Sequence, residues 1–460
     1  MSEPDFQQRL DAKDRQIADL VARLEAALAR IAALEAKLAE NSSNSNKPPS
    51  TDAPYKARPP KVPTGKKQGG QRGHKRNLRP LLPPDHVSKH IPGQCAGCGH
   101  SLHGEDPNPL RRQSIEIPTV KPIVTEDQLH SLTCPRCGMS NTLDIPAKPS
   151  VGPVLTGLIS FLTIRHRQSK RLVQSLLENV FGVELSLGMI CNLEQRVSAA
   201  LAAAHQEAST AIQKAPSLNI DDSGFFEGRG EGRKNSAHIW ALVTPLLSVF
   251  YVRLSKGAEV VQALLKDFAG IMISDRAKAY LWVDAAKRQL CWAHLLRDFE
   301  GWKRHGLLAE AIADGIQEQI GEFFVLWWEL KEKRFERKAF QEKMVPIRAR
   351  VEELLEVALH VPGISGSAQD MVNVKAGLWS FVDNNGVEPT NNEAERVLRP
   401  AVIMKKLTFG TMSEGGSRFV ERVLTVETTL RKQGKDALAF IVESIRAFDA
   451  GLPAPSLFRP

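Results

Sequence analysis

The sequence predicts a multidomain protein built around an α/β core with an all-α insertion. Its 460 residues exceed the roughly 100–200 residues that one domain usually contains. Strand-like and helix-like patterns alternate between residues 213 and 294, whereas helical periodicity dominates on either side. Polar and proline-containing runs separate these parts, so we expect several smaller units around the core.

Residues 1–42 are predicted to form a coiled coil. Apolar residues recur at every seventh position, the spacing of a coiled-coil seam. These positions are Leu10, Ile17, Leu24, Ile31 and Leu38. We expect the seam to join two copies of the chain; the alternative is a single amphipathic helix lying on the body of the protein.

Residues 43–88 are predicted to be a disordered basic arm. The stretch from Lys56 to Arg79 contains many Lys and Arg residues and no acid, and the whole chain carries a formal charge of +9. Such a charge favours an anionic partner, and a basic arm binds DNA phosphates without reading sequence. The alternative is a solvated linker. The predicted DNA contacts here are Lys66, Lys67, Arg72, Lys75 and Arg76.

Residues 89–148 contain two C-x-x-C-G motifs, which predict a zinc-binding module. The four thiols can surround one tetrahedral zinc ion, and each following glycine permits the tight turn that this requires. The predicted ligands are Cys95, Cys98, Cys134 and Cys137. The long gap between the motifs favours a zinc-ribbon-like module over a finger that reads DNA with a helix.

Residues 149–212 have the pattern of a helical, helix-turn-helix-like segment. An apolar stripe between Leu172 and Val180 is followed by Gly182, a turn residue, and Ser186, which can cap the next helix. Such a pair binds DNA in many proteins, but it also occurs as a plain structural hairpin.

Residues 213–294 are predicted to be the first part of a ribonuclease H-like core. Three strand-like runs are followed by a helix, the strand GIMISD, a short helix and the strand KRQLCWAH. In this βββαβαβ order the first and fourth strands are neighbours. Asp221 and Asp275 are predicted to end those two strands, and they should therefore lie close together.

The remaining residues are predicted to be helical. Residues 295–385 form the insertion, whose tryptophans we expect in its core. Residues 386–460 begin with a short helix that carries Glu395 and that Pro400 should end, and further helices follow.

Asp221, Asp275 and Glu395 are the predicted catalytic acids. Three carboxylates from separate segments suit two Mg²⁺ ions, or Mn²⁺, which promote phosphodiester chemistry. Two rivals stand beside them in sequence. Asp222 should point to the opposite face of its strand, and Glu393 has the spacing of a capping box.

Several blocks of this sequence are similar to those of DDE transposases of the insertion sequence sixty-six family. IDDSGF resembles the DETGW block, ISDRAKAY the SDRxxAY block, and GVEPTNNEAERVLRP the GVEPTNNxAERALRP block. The resemblance implies that Asp221, Asp275 and Glu395 are the metal-binding acids. Arg399 and Lys406, which flank them, are predicted to bind DNA, while Lys405 replaces the family's usual arginine.

The resemblance also implies the reaction and its partners. We expect cleavage of double-stranded DNA at element ends, strand transfer to target DNA, and two small companion proteins from the same element. The alternatives are a structure-specific nuclease and a non-catalytic DNA-binding protein derived from a transposase. Because there is neither a long apolar run nor a signal pattern, we expect no membrane partner and a cytoplasmic, nucleoid-associated location.

Overall fold

The computed structural model describes residues 3–38, 79–143, 149–228 and 234–459. Most of the predicted basic arm, including Lys66, Lys67, Arg72, Lys75 and Arg76, lies outside the described residues. Within the described ranges, no helix is both long enough and apolar enough to cross a membrane.

The first element is one long helix, α1 (Glu3–Leu38). Its heptad side chains are largely exposed, with Ile17 at 57%, Leu24 at 60% and Ile31 at 51%. No described part of the same chain covers these positions. The apolar stripe is therefore available to a second copy of the chain, and pairing stays a prediction.

Replacing Leu24 and Ile31 together by aspartate should separate that pair. The substitution places like charges against each other at the centre of a seam that would otherwise bury apolar surface. Light scattering should then give the mass of a single chain, against twice that mass for the parent. Exchange of both residues for alanine is the milder control. An unchanged mass for the aspartate variant would contradict the coiled coil.

Residues 79–143 contain little regular structure. The short strands β1 (Ser131–Thr133) and β2 (Ser140–Thr142) form a hairpin, and an isolated bridge joins Gln94 to Ser101. No residue of this range is buried, and the cysteines Cys95 and Cys134 are among the few that are half-buried.

Four helices follow within the described residues 149–228, namely α2 (Pro153–Ile164), α3 (Lys170–Phe181), α4 (Leu187–Ala200) and α5 (Ala202–Ile212). As predicted, Gly182 ends α3 with a φ of 64°, and the Ser186 hydroxyl accepts a hydrogen bond from Met189 N at the start of α4. The helix-turn-helix pattern of α3 and α4 is thus present.

The apolar stripe of α3 is narrower than predicted. Val173 and Leu177 are buried, whereas Leu172 and Val180 are 60% and 53% exposed. The reason is that α3 packs mainly on α2 and α4, and these cover one side of it. Cys191 on α4 is half-buried, and its sulfur contacts Lys170 Nζ at 3.1 Å.

The core is a five-stranded mixed sheet, which confirms the α/β prediction. Its strands are β3 (Ser217–Gly228), β4 (Lys234–Val243), β5 (Ser248–Arg253), β6 (Ile271–Ser274) and β7 (Arg288–Leu290), with α6 (Ala258–Leu264) between β5 and β6. They lie in the order β5-β4-β3-β6-β7. The first three strands are antiparallel, and β6 and β7 continue the sheet in parallel. The first and fourth strands of the core are therefore neighbours, as predicted.

Two predicted strand ends are wrong. Asp221 does not end β3, because the strand continues to Gly228 through a long antiparallel pairing with β4. The segment KRQLCWAH is a strand only to Leu290, since a helix begins at Trp292.

The helices after the sheet lie in two groups. Those of the insertion are α7 (Trp292–Trp302), α8 (Leu307–Lys331), α9 (Arg337–Ala358), α10 (Ser365–Val372) and α11 (Ser380–Asp383). Those of the C-terminal part are α12 (Asn392–Thr408), α13 (Glu414–Lys432) and α14 (Ala437–Asp449). The insertion helices share one aromatic-rich core that includes Ile273 and Leu290 of the sheet.

The tryptophan prediction for the insertion is right for three residues and wrong for one. Trp302, Trp327 and Trp379 are buried, but Trp328 is 63% exposed. Trp327 and Trp328 are consecutive in α8, so only one of them can face the insertion core.

Helix α13 covers the β5 edge of the sheet. Its Thr425 and Thr429 hydroxyls accept hydrogen bonds from Phe250 N and Ser248 N at 3.0 and 3.2 Å. The Glu421 carboxylate accepts from Val252 N in the same way. Four helix residues advance about 6 Å and two strand residues about 7 Å, so the two rows stay in register. The edge that β5 would otherwise expose is thereby satisfied.

Candidate active site

The parallel pairing of β3 and β6 sets Asp221 and Asp275 at the same level. Asn219 pairs with Ile273, and each aspartate lies two residues further along its strand direction. Neighbouring strands are separated by about 4.8 Å. The two carboxylates therefore occupy adjacent positions where β6 ends.

The helix α12 brings Glu395 to the same place. It packs against β3 and β4, and Glu395 lies in its first turns. Burial, followed by the charges of Asp275, Asp222 and Glu395, raises the pKa of Asp221 well above its usual value. The structure thus brings the three predicted acids together.

This acid cluster carries an excess of negative charge, which the buried Arg288 beside Asp275 offsets only in part. In the described chain no Lys or Arg forms an ion pair with Asp221 or Asp275, and Glu395 is 3.7 Å from His294 Nε2. The donor set and its excess charge fit divalent cations. The acids are not preorganised as a ligand cage, because no group of three or more His, Cys, Asp or Glu among the described residues is arranged to hold one ion.

Backbone amides orient both aspartates. Asp221 Oδ1 accepts a hydrogen bond from Asp222 N, and Asp275 Oδ1 accepts one from Ala277 N, both at 2.9 Å. Below them the buried Arg288 guanidinium donates to Asp275 O at 3.1 Å and to Tyr280 O at 3.2 Å. Sequence reasoning missed this supporting role of Arg288 and Tyr280, although Tyr280 belongs to the ISDRAKAY block.

Asp222 has a partner of its own. Its Oδ2 lies 2.7 Å from His238 Nδ1 on the neighbouring strand β4. Burial raises the pKa of the Asp222 carboxyl, and His238 opposes that shift. This contact supports Asp221 as the metal-binding residue of the pair.

Glu393 does not form the predicted capping box. The helix begins at Asn392, no side chain caps it, and Glu393 instead contacts Arg396 at 2.8 Å and Lys432 at 3.1 Å. The start of α12 is held by tertiary contacts of the buried Asn391. Its side-chain amide donates to Ile220 O and its backbone N–H to Cys291 Sγ, both at 3.3 Å.

Pro400 does not end the helix that carries Glu395. α12 continues to Thr408 with Pro400 inside it. The hydrogen bond that proline cannot form would have gone to the carbonyl of Arg396, an exposed residue. Burial of Leu398, Ala401 and Met404 against the core stabilises the helix on both sides of Pro400.

Cys291 is a buried packing residue. Burial raises the pKa of its thiol to about 11. The neighbouring His294 lies on α7 beside Glu395, and burial lowers the pKa of its imidazole. His294 therefore faces the acid cluster as a neutral ring at neutral pH.

The predicted DNA-binding residues of α12 differ in their surroundings. Arg399 and Lys406 are exposed, whereas Lys405 Nζ donates to Gly224 O on β3 at 2.7 Å and lies over the Phe226 ring. Lys405 therefore joins the end of α12 to the strand that carries Asp221.

The two C-x-x-C motifs fold into matching turns. Cys95 N donates to His100 O and Cys134 N to Met139 O, both at 2.8 Å, and each glycine after the motif has a positive φ. Backbone N–H groups lower the pKa of the Cys95 and Cys134 thiols, which favours the thiolate that zinc binds. Each turn offers two ligands, but the four thiols are not gathered into one group in the part of the chain described.

Comparisons with known proteins match this arrangement. A family model described as the IS66 family of transposases matches residues 161–418, and one for a family of unknown function matches residues 1–80. An uncharacterized protein of Sinorhizobium fredii, y4qI, is 28% identical over 253 residues, or 50% of this chain and 47% of that protein. The chain thus spans about half the length of this curated relative. Because the transposase match covers more than half of the chain and includes the three clustered acids, the protein belongs to the IS66 family of transposases.

Proposed function

We propose that this chain cuts double-stranded DNA at the ends of a bacterial insertion sequence and joins those ends to target DNA. One observation supports this proposal most strongly. Asp221 and Asp275 lie at matching positions on neighbouring parallel strands, and Glu395 lies beside them on α12. The strand order around them is that expected of a ribonuclease H-like core.

Asp221, Asp275 and Glu395 would hold two Mg²⁺ ions, or Mn²⁺. When bound, such ions stabilise the charge on the attacking and leaving oxygens of a phosphodiester. The support for this assignment is the raised pKa of Asp221, which reflects burial and the neighbouring charges of Asp275, Asp222 and Glu395. Metal ions would remove that repulsion.

The other residues of the site position these acids and the DNA. Arg288 fixes the backbone at Asp275, and the His294 ring lies 3.7 Å from the Glu395 carboxylate. Arg399 and Lys406 are exposed on α12 and would bind phosphates near the cleaved bond. The resemblance to the family also leads us to propose two small companion proteins that act with this chain.

The direct test uses labelled duplexes that carry the ends of the element. Incubation with Mg²⁺ should release a nicked strand with a free 3′ hydroxyl and then a product in which that strand is joined to target DNA. Cleavage without any joined product would indicate a nuclease instead. Binding without cleavage under all metal conditions would indicate a regulator derived from a transposase.

The basic arm should add affinity that does not depend on sequence. Deleting residues 56–79 removes nine positive charges. Each DNA phosphate that the arm no longer neutralises should reduce the slope of log affinity against log salt by about 0.9. Fluorescence anisotropy with a duplex of arbitrary sequence measures that slope. A deletion variant with the slope of the parent chain would show that the arm is only a linker.

A further inference from the structure

A group of positively charged side chains lines a cleft of about 340 Å³ near the acid cluster. The turn between α2 and α3, the outer side of α12 and the end of α13 form its walls. Its cationic side chains are Arg165, Arg167, Arg396, Arg399, Arg431 and Lys432. We call this group the arginine cleft.

The arginine cleft contains more cationic side chains than carboxylates that contact them. Glu393 pairs with Arg396 and Lys432 at 2.8 and 3.1 Å. Glu427, which is buried, pairs with Arg165 and Arg431 at 3.2 and 3.4 Å. Among the described residues, six cationic side chains therefore face two carboxylates, and the surplus favours an anion from outside the chain.

Two of the six cations have no carboxylate partner within the described ranges. These are Arg167 and Arg399. The Nε of Arg167 is buried without a hydrogen-bond partner there, and its backbone has a φ of 57°, which is unusual for a residue with a side chain. A strained residue with an unsatisfied buried donor is typical of a binding position.

The position of Arg399 connects the arginine cleft to the acids. It follows Glu395 by four residues on α12, one helical turn, so the two side chains lie on nearly the same side about 6 Å apart along the axis. A phosphate chain that leaves the acid cluster past Arg399 would therefore enter the cleft.

We propose that the arginine cleft binds the phosphates of duplex DNA adjacent to the bond held at the acid cluster. This inference rests on the proposed function for the placement of DNA at the acids. The arginine fork suits phosphate oxygens geometrically, and contacts of this kind fix register without reading bases. Glu393 weakens the binding of DNA, because its carboxylate pairs with two of the cations that would otherwise contact phosphates.

The test measures binding of a fluorescent duplex of arbitrary sequence to the full chain, over a salt series without Mg²⁺. Arg399→Gln should reduce the slope of log affinity against log salt by about 0.9, and Arg167→Gln with Arg399→Gln by about twice that. Glu393→Gln should have the opposite effect and tighten binding about 2- to 5-fold, because it frees Arg396 and Lys432. Arg446→Gln, an exposed arginine of α14 outside the cleft, should change neither slope nor affinity.

Two results would overturn the proposal. One is a slope of log affinity against log salt that is the same for Arg399→Gln as for Arg446→Gln, together with an affinity of Glu393→Gln for DNA that equals that of the parent chain. The other is loss of pyrophosphate binding in Arg399→Gln without any change in DNA binding, which would assign the cleft to a free phosphate compound. Arg399→Gln and Glu393→Gln alter exposed or half-exposed side chains. These two variants therefore remain informative if the variant that also changes Arg167 does not fold.

The proposed function and the arginine cleft fail in different ways. Absence of both the Arg399 and the Glu393 effects on binding, with cleavage retained by the parent chain, removes only the cleft. Absence of cleavage in the parent, with the Arg399 and Glu393 effects intact, removes only the nuclease chemistry.

Discussion

Asp221→Asn should abolish strand cleavage and strand transfer on element-end DNA while the chain still folds and binds DNA. The substitution keeps the shape of the side chain but removes the charge that would bind metal. A loss of several kcal/mol of transition-state stabilisation corresponds to about a 10³-fold or greater fall in rate. Gel assays of nicked and joined products at fixed Mg²⁺ measure both steps.

The thermal stability of this variant should not fall. The pKa of Asp221 is raised by burial and by the charges of Asp275, Asp222 and Glu395, so ionised Asp221 is repelled in the metal-free fold. Asparagine removes that repulsion. An inactive variant with an equal or higher melting temperature would separate a catalytic role from a structural one.

Asp275→Asn and Glu395→Gln should have the same effect on both steps. Glu388→Gln is the matched control, because Glu388 pairs with Lys331 at the surface before α12 and should keep full activity. Retained cleavage in Glu395→Gln, with none in Glu393→Gln, would move the third acid to Glu393. Unchanged cleavage in all three substitutions of the acid cluster would remove the proposed mechanism.

The placement of the acids could be predicted because it depends on the order of the strands and on the positions of the motifs along them. The apolar runs before Asp221 and Asp275 identify two buried strands, and their order along the chain makes them neighbours. Their common level then follows from the pairing of Asn219 with Ile273. Local sequence patterns, together with the ribonuclease H-like strand order and the family motifs, are sufficient for this part of the site.

The partners of individual side chains could not be predicted in the same way. Glu393 has the local spacing of a capping box, yet it contacts Lys432, a residue of α13 that is distant in sequence. Pro400 is a helix breaker by local rules, but buried residues on both sides keep α12 continuous. In both cases tertiary packing outweighs the local preference.

The arginine cleft shows the same dependence on tertiary structure. Arg165 and Arg167 precede α3, Arg396 and Arg399 lie on α12, and Arg431 lies on α13, so no single window of the sequence contains all of these cations. Only the packing of α12 and α13 beside the α2–α3 turn gathers them.

Removal of zinc should unfold residues 89–143 and leave the α/β core folded. The range 79–143 has no buried residue, so it has no apolar core to hold it in one conformation. A structural zinc site contributes about 10–16 kcal/mol of apparent binding free energy in small domains, enough to order such a segment. The matching turns at Cys95 and Cys134 would each supply two thiols to the ion.

Metal analysis of the purified chain should therefore find one zinc ion per chain. The same analysis of the double variant Cys98→Ser, Cys137→Ser should find none. Limited proteolysis should then cut the variant within residues 89–143 at protease concentrations that leave the parent intact. Cys191→Ser is the control, because Cys191 lies on α4 in contact with Lys170 and should leave the zinc content at one. Zinc content that is zero in the parent, or unchanged in the double variant, would contradict a site made of these four cysteines. The two turns would then be independent hairpins, since the hydrogen bonds within each turn do not depend on a metal ion.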